Sequence, residues 1–311
     1  MLLKAIPIIE TKRHIDSMSN ILITGATGNV GFEVIRFLFK QNHSHRLVAG
    51  VRNIEKAKVL FKEHPNLAFV HFDFEDVATF NQAFEKIDRV FLLRPPHISD
   101  VEKYFKPLMI QLQKSNIHEV VFLSVQGAEK SKIIPHNKIE RLITSFKLDY
   151  IFLRPSYFMQ NLTTTLLEDI KTKRQIVLPA GKAKFNWVDI ENIAEVAALV
   201  LERFNEHKNQ AFEITGLENE NFEKATLLLN TAIKNPIKYH AVSPLRFFNI
   251  KKQEGMKQGL IVVMLLLHYL PRWQKEPKIS NFYERLTGKK PTDLKSFIAR
   301  EKNKFEQTKG A

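Results

Sequence analysis

The residues with the clearest chemical potential are three glycines spaced by three, in the run Ile21-Leu22-Ile23-Thr24-Gly25-Ala26-Thr27-Gly28-Asn29-Val30-Gly31. An apolar strand leads in, and a helical pattern that includes Phe32, Ile35, Leu38 and Phe39 leads out. Gly25 permits a tight turn, Gly28 lets backbone approach a pyrophosphate, and Gly31 lets the helix sit close against the strand. Thr27, Asn29 and Val30 complete the turn, where free N–H groups and the positive end of the helix dipole face the anion. The spacing is G-x-x-G-x-x-G, a variant of the dinucleotide fingerprint G-x-G-x-x-G. The competing reading is an ordinary turn between strand and helix.

Further along, Leu47-Val48-Ala49-Gly50-Val51-Arg52-Asn53 ends a second apolar run on a guanidinium. A carboxylate at that place would accept from both ribose hydroxyls, whereas an arginine pairs with a 2′-phosphate, so NADP(H) is expected over NAD. Glu55 is near enough to keep NAD open, and Arg52 could equally be an exposed strand-end residue. A third run ends Phe72-Asp73-Phe74. Asp73, with Phe74 beside it, would reach the adenine amino group or serve as a plain loop carboxylate. Arg94, followed by two prolines, falls after a fourth run near the expected cofactor channel.

These residues need a scaffold that brings strand ends together. Strands are expected near 21–24, 46–51, 67–72, 89–93, 119–124 and 149–153, separated by helical stretches. Such alternation implies an α/β Rossmann-type fold, a doubly wound parallel sheet with ligands at the carboxyl ends of its strands. Beyond residue 153 the pattern predicts a helix over 157–171, a strand over 175–178, a helix over 190–204 capped by Asp189, and a strand over 211–215. The organisation expected is an N-terminal extension (1–19), a nucleotide-binding domain (20–155) and a smaller, mostly helical substrate lobe (156–311) interleaved with it. Met18 leads directly into the first strand, so translation is expected to begin there; an intact mass that includes Met1 would refute this.

Zero cysteines in 311 residues exclude a disulfide scaffold, a Cys-ligated zinc or iron–sulfur site and a thiol nucleophile. Lys and Arg number 47 against 33 Asp and Glu, a net charge of +14, which raises the question of a polyanionic partner. Residues 241–311 carry 15 basic and 6 acidic residues, yet no aromatic-interleaved basic motif, so specific nucleic-acid binding is not expected. The apolar run Leu260–Leu267 is far shorter than the ~18 residues of a membrane span. It is expected as a buried helix, with no membrane partner. The first residues place charge after the apolar stretch, unlike a signal peptide, so a cytoplasmic protein is expected.

Several segments together resemble the NmrA-like branch of the atypical short-chain dehydrogenase/reductases, which includes quinone reductase-like and triphenylmethane reductase-like NAD(P)-binding proteins. The resemblance is carried by the glycine turn, Val51-Arg52-Asn53, Leu123-Ser124-Val125-Gln126-Gly127-Ala128, and Leu153-Arg154-Pro155-Ser156-Tyr157-Phe158-Met159-Gln160-Asn161-Leu162. Asp189-Ile190-Glu191-Asn192-Ile193-Ala194 and Leu286-Thr287-Gly288-Lys289-Lys290-Pro291 extend it. In fully equipped relatives a Tyr and a Lys four residues later share a helix face at the nicotinamide. Registering Glu140 with the family's helix glutamate puts Lys132 at the Tyr position and His136 at the Lys position, so that pair is missing. Lys138, two residues from His136, points to another face of the helix. His136, with an ordinary pKa near ~6.5, suits a ribose hydrogen bond, a proton relay or a merely polar first turn. Ser124 would face the nicotinamide or cap its strand. Tyr157, Phe158 and Asn161 would line a substrate pocket or fill core. The resemblance implies an NADPH-dependent reductase of a small electrophile such as a quinone or enone. The alternative is an NADP(H)-sensing regulator acting through a protein partner; a homodimer also stays open.

Overall fold

The protein is described by a computed structural model covering residues 18–41 and 45–306. The expectation that residues 1–17 precede the native start falls outside the described residues. From the first strand the chain runs β1 (Asn20–Ile23), α1 (Asn29–Lys40), β2 (Arg46–Val51), α2 (Ile54–Leu60), β3 (Ala68–His71), α3 (Phe80–Ala83) and β4 (Arg89–Leu93). It continues through α4 (Val101–Lys114), β5 (Glu119–Leu123), α5 (Pro135–Ser145), β6 (Asp149–Pro155) and the two-residue β7 (Tyr157–Phe158). The second half contains α6 (Leu167–Thr172), β8 (Gln175–Leu178), β9 (Lys184–Val188), α7 (Ile190–Glu202), α8 (Phe204–His207) and β10 (Gln210–Ile214). Then follow β11 (Asn219–Asn221), α9 (Phe222–Ala232), β12 (Lys238–Ala241), α10 (Pro244–Gln253), α11 (Gln258–Tyr269), α12 (Phe282–Thr287) and α13 (Leu294–Glu306).

Seven strands form a parallel sheet in the order β10-β6-β5-β4-β1-β2-β3. Alternate residues of each strand feed two different cores, as the two-residue period of a strand requires. Ile21 and Ile23 enter one with α1 and α7, while Leu22 enters the other with Phe105, Leu108, Ile139 and Ile143 of α4 and α5. The chain builds outward from β1 to β3, then returns to place β4 on the other flank of β1. That reversal opens a crevice beyond the carboxyl ends of β1 and β4. Thr24 clamps it: its hydroxyl donates to the Phe91 carbonyl at 3.0 Å and accepts from the Leu93 N–H at 2.9 Å.

The later chain rejoins this sheet through β10 and through α7, which packs with α1 in the first core. A third core, centred on Trp187, Phe185, Phe222 and Phe247, belongs to the remaining elements. Asp189 caps α7 as expected, accepting from the Glu191 N–H at 3.1 Å. It also accepts from Gln160 Nε2 at 2.6 Å and Arg300 Nη1 at 2.8 Å, which latches α13 to the start of α7.

Two expectations need correction. The helix predicted over 157–171 is a short strand, a 3-10 turn over Met159–Leu162, and only then α6. Tyr157 and Phe158 pair with Trp187 and Val188 of β9, and that lateral pairing overrides the local pattern. The run Leu260–Leu267 does lie in a helix, α11, but Ile261, Met264 and His268 are the buried residues of one stripe, with the rest of its apolar surface outward. No helix among the described residues is long and apolar enough to cross a membrane.

Candidate functional site

The glycine turn leaves β1 at the crevice. Gly25 has φ +59°, a left-handed conformation, and its N-terminal neighbour is held by the Thr24 clamp. The Gly28 N–H donates to the Gly25 carbonyl at 2.9 Å, which closes the turn, and Phe32 N–H to Gly28 O at 2.9 Å begins α1. A Cβ on Gly31 would meet the Gly25 carbonyl oxygen and lie 2.9 Å from Ala26 Cα, closer than real side chains come. Close packing of helix on strand is therefore possible only with glycine there.

The start of α1 lacks the side-chain acceptor that caps five of the other helices among the described residues. Asn53, Asp100, Asp189, Asn221 and Ser243 cap α2, α4, α7, α9 and α10 with side-chain acceptors. At α1 the capping position is Gly28, with no side-chain cap and no acidic residue in the first turn. The N–H groups of Asn29, Val30 and Gly31 precede the first intrahelical bond and are left for an external acceptor. Thr27, Gly28 and Asn29 are exposed, whereas the Val30 side chain is in the core, so only its backbone faces outward.

Arg52 follows β2, is exposed, and has no carboxylate at ion-pair distance among the described residues. Glu55 pairs instead with Lys58 at 2.9 Å. Asp73 lies in the turn after β3, where one carboxylate oxygen accepts from the Glu75 N–H at 3.0 Å. The Phe74 ring is buried against Phe72 and Phe105, at 4.9 Å and 5.4 Å between centroids, which leaves its backbone as the part that could meet a ligand.

At the other side of the crevice Arg94 and His136 come together from β4 and the first turn of α5. Arg94 Nε donates to His136 Nε2 at 3.3 Å, and Nη1 donates to the carbonyls of Pro95, Pro96 and Ile98 at 3.1, 3.2 and 2.6 Å. Among the described residues Arg94 has no carboxylate partner, and its Nη2 has no protein acceptor. Burial lowers its pKa from the ordinary guanidinium value. Burial, then the Arg94 charge, pushes His136 down to about 3. The imidazole is thus neutral with its proton on Nδ1, which leaves a hydrogen-bond donor and no imidazolium acid. The proton-relay expectation for His136 is thereby narrowed to transfer through a neutral ring.

The other two catalytic expectations are also corrected. Ser124 is buried and donates to Glu140 Oε1 at 2.6 Å. Glu140 accepts in addition from Arg154 Nε and Nη2 at 3.0 and 2.7 Å, and Arg154 Nη1 reaches Glu129 at 3.0 Å. This network, which ties α5 to β5 and β6, was not read from the sequence; the signal was a lone arginine inside an apolar strand. Tyr157 is buried in the third core, with its hydroxyl 2.9 Å from His268 Nε2 and its ring edge-on to Trp187 at 4.9 Å. Burial raises its pKa well above that of an ordinary phenol. Phe158 packs against the first core, and Asn161 lies in the 3-10 turn. Lys132 and Lys138 are exposed, Lys138 as its two-residue offset from His136 implied. Among the described residues no three metal-ligating side chains cluster.

A profile of the NmrA-like family matches residues 17–298. The Prestalk A differentiation protein A of Dictyostelium discoideum is 27% identical over 293 residues, 94% of each chain. The NAD(P)H azoreductase of Xenophilus azovorans is 26% identical over 254 residues, 80% of this chain and 86% of its own. Among solved structures, the triphenylmethane reductase of Citrobacter sp. complexed with NADP(H) superposes with a TM-score of 0.78 at 22% identity, covering 91% of this chain and 99% of its own.

Proposed function

The chain belongs to the NmrA-like family, and from that premise we propose that it binds NADPH and reduces a small electrophile such as a quinone or an enone. The observation that carries the reading is the cradle at the β1–β4 crevice, where Gly31 admits no Cβ and an uncapped, acid-free helix start faces outward. The N–H groups of Asn29, Val30 and Gly31 would hold the pyrophosphate. Arg52, free of any carboxylate among the described residues, would pair with the 2′-phosphate. Asp73 would take the adenine amino group on its remaining oxygen, and His136 Nδ1–H would donate to the nicotinamide ribose.

When bound, the reduced nicotinamide supplies a hydride. The contribution of this chain at the acceptor end is Arg94. Its Nη2 is an uncommitted donor on a fixed, partly buried cation, and such a group stabilises negative charge that develops on an acceptor oxygen. Water then supplies the proton, since Ser124 and Tyr157 are committed elsewhere.

That commitment favours a second reading, a catalytically weak NADP(H) sensor that acts on a protein partner through differential affinity for its bound states. Excess protein mixed with stoichiometric NADPH, followed by reduced-nicotinamide fluorescence with and without quinones and enones, separates the two. Emission that changes on mixing and then decays faster with an acceptor than in protein-free controls, and more slowly in Arg94→Gln, is the result expected of a reductase. A change on mixing without decay favours the sensor, and no change at all refutes NADPH binding.

A further inference from the structure

The arc of α11 opposite its buried stripe is apolar throughout. Leu260, Val262, Val263, Leu266, Leu267 and the following Leu270 are 45–53% exposed. At 100° per residue they occupy an arc of roughly 160° about the helix axis. A helix apolar on all sides is ordinarily enclosed on all sides, so this face requires a cover. Trp273 at its end is 76% exposed, and Tyr269 is half-buried beside it.

The surroundings are basic. Residues 244–278 contain seven Lys or Arg and two Glu. Both acids are engaged locally: Glu254 with Lys173 and with Lys251 at 2.8 Å, and Glu276 with Lys184 at 2.8 Å. Arg246, Lys252, Lys257, Arg272, Lys275 and Lys278 have no carboxylate at ion-pair distance among the described residues. A second copy docked through the same face would set this basic rim against itself, on a chain already at +14. An anionic lipid surface matches both components. Apolar side chains enter the boundary between headgroups and acyl chains, Trp and Tyr sit at headgroup level, and lysines and arginines meet the lipid phosphates and carboxylates.

We propose that α11 and the turn after it dock peripherally on an anionic membrane surface. The helix lies in the interface plane, and its twelve residues need not span the bilayer. This inference is independent of the cofactor reading.

The test is co-sedimentation of the full chain with vesicles of phosphatidylcholine alone and of phosphatidylcholine with phosphatidylserine, at low and high salt. Binding is expected to the anionic vesicles, weaker at high salt, with a partition coefficient lowered about tenfold or more in the double variant Val263→Gln, Leu266→Gln. Both positions are exposed, so the variant should keep the parent melting temperature. Lys252→Glu with Lys257→Glu should weaken binding to anionic vesicles by a similar factor. No binding at low salt overturns the proposal. So does binding that the apolar double variant leaves intact, which would place attraction elsewhere on the basic surface. Concentration-dependent dimerisation by analytical ultracentrifugation, abolished by the same double variant, would assign the face to a second copy instead.

Discussion

Replacing Gly31 with alanine puts the central structural argument at risk. The new Cβ would press on the Gly25 carbonyl oxygen and lie 2.9 Å from Ala26 Cα, whereas ordinary contacts begin at 3.4 Å. The obstacles are backbone atoms, so no rotamer change relieves them, and the turn must retreat by about 0.5 Å or more. Overpacking of this kind costs about 1–3 kcal/mol, which in a chain this size lowers the melting temperature by roughly 1.5–5 °C. The retreat also displaces the N–H groups of Asn29 and Val30. Loss of one hydrogen bond to a charged group, about 1.5–3 kcal/mol, raises the NADPH dissociation constant roughly ten- to hundredfold. Fluorescence titration with NADPH and thermal melting of the same preparation read the two effects separately. Gly259→Ala in α11 is the control, because its added Cβ would have nothing within 4 Å; it should lose neither stability nor affinity. A Gly31→Ala protein with parental melting and affinity would refute the close approach. One that is destabilised but binds NADPH as the parent does would refute the phosphate role while leaving the packing argument standing.

Arg52→Ala should weaken NADPH binding about tenfold or more and leave NADH binding unchanged, since only the 2′-phosphate is lost as a partner; equal effects on both, by the same titration, would refute the assignment. Glu140→Gln removes a carboxylate that accepts from Ser124 and Arg154, but Arg154 keeps Glu129 at 3.0 Å. A loss of about 1–3 kcal/mol in urea denaturation is expected, less than for a fully buried pair. His268 is buried and held down to about 4, chiefly by desolvation. The unfolded chain therefore takes up the proton first, so its contribution is complete above about pH 6.5 and falls by up to about 3 kcal/mol as pH drops to about 4. Urea midpoints across that range should show a shallower pH dependence in the double variant Tyr157→Phe, His268→Phe than in the parent; an unchanged slope would refute the assignment.

Much of the sheet was legible because strands and helices are written in short-range periodicity. Strands expected at 46–51 and 89–93 are found there, and Asp189 caps α7 from a local three-residue relation. The glycine spacing was equally readable, since a tight turn and a close helix start constrain neighbouring residues only. The site's chemistry was less so. His136 meets Arg94 across 42 residues, and that contact together with burial lowers its pKa. Tyr157 meets His268 across 111 residues, in a core that claims its hydroxyl. Residue type and spacing along the chain determined where a nucleotide-sized anion could sit. Only tertiary packing decided which side chains remained free to act, and which face of α11 was left uncovered, because partners and burial arise between segments that no local pattern relates.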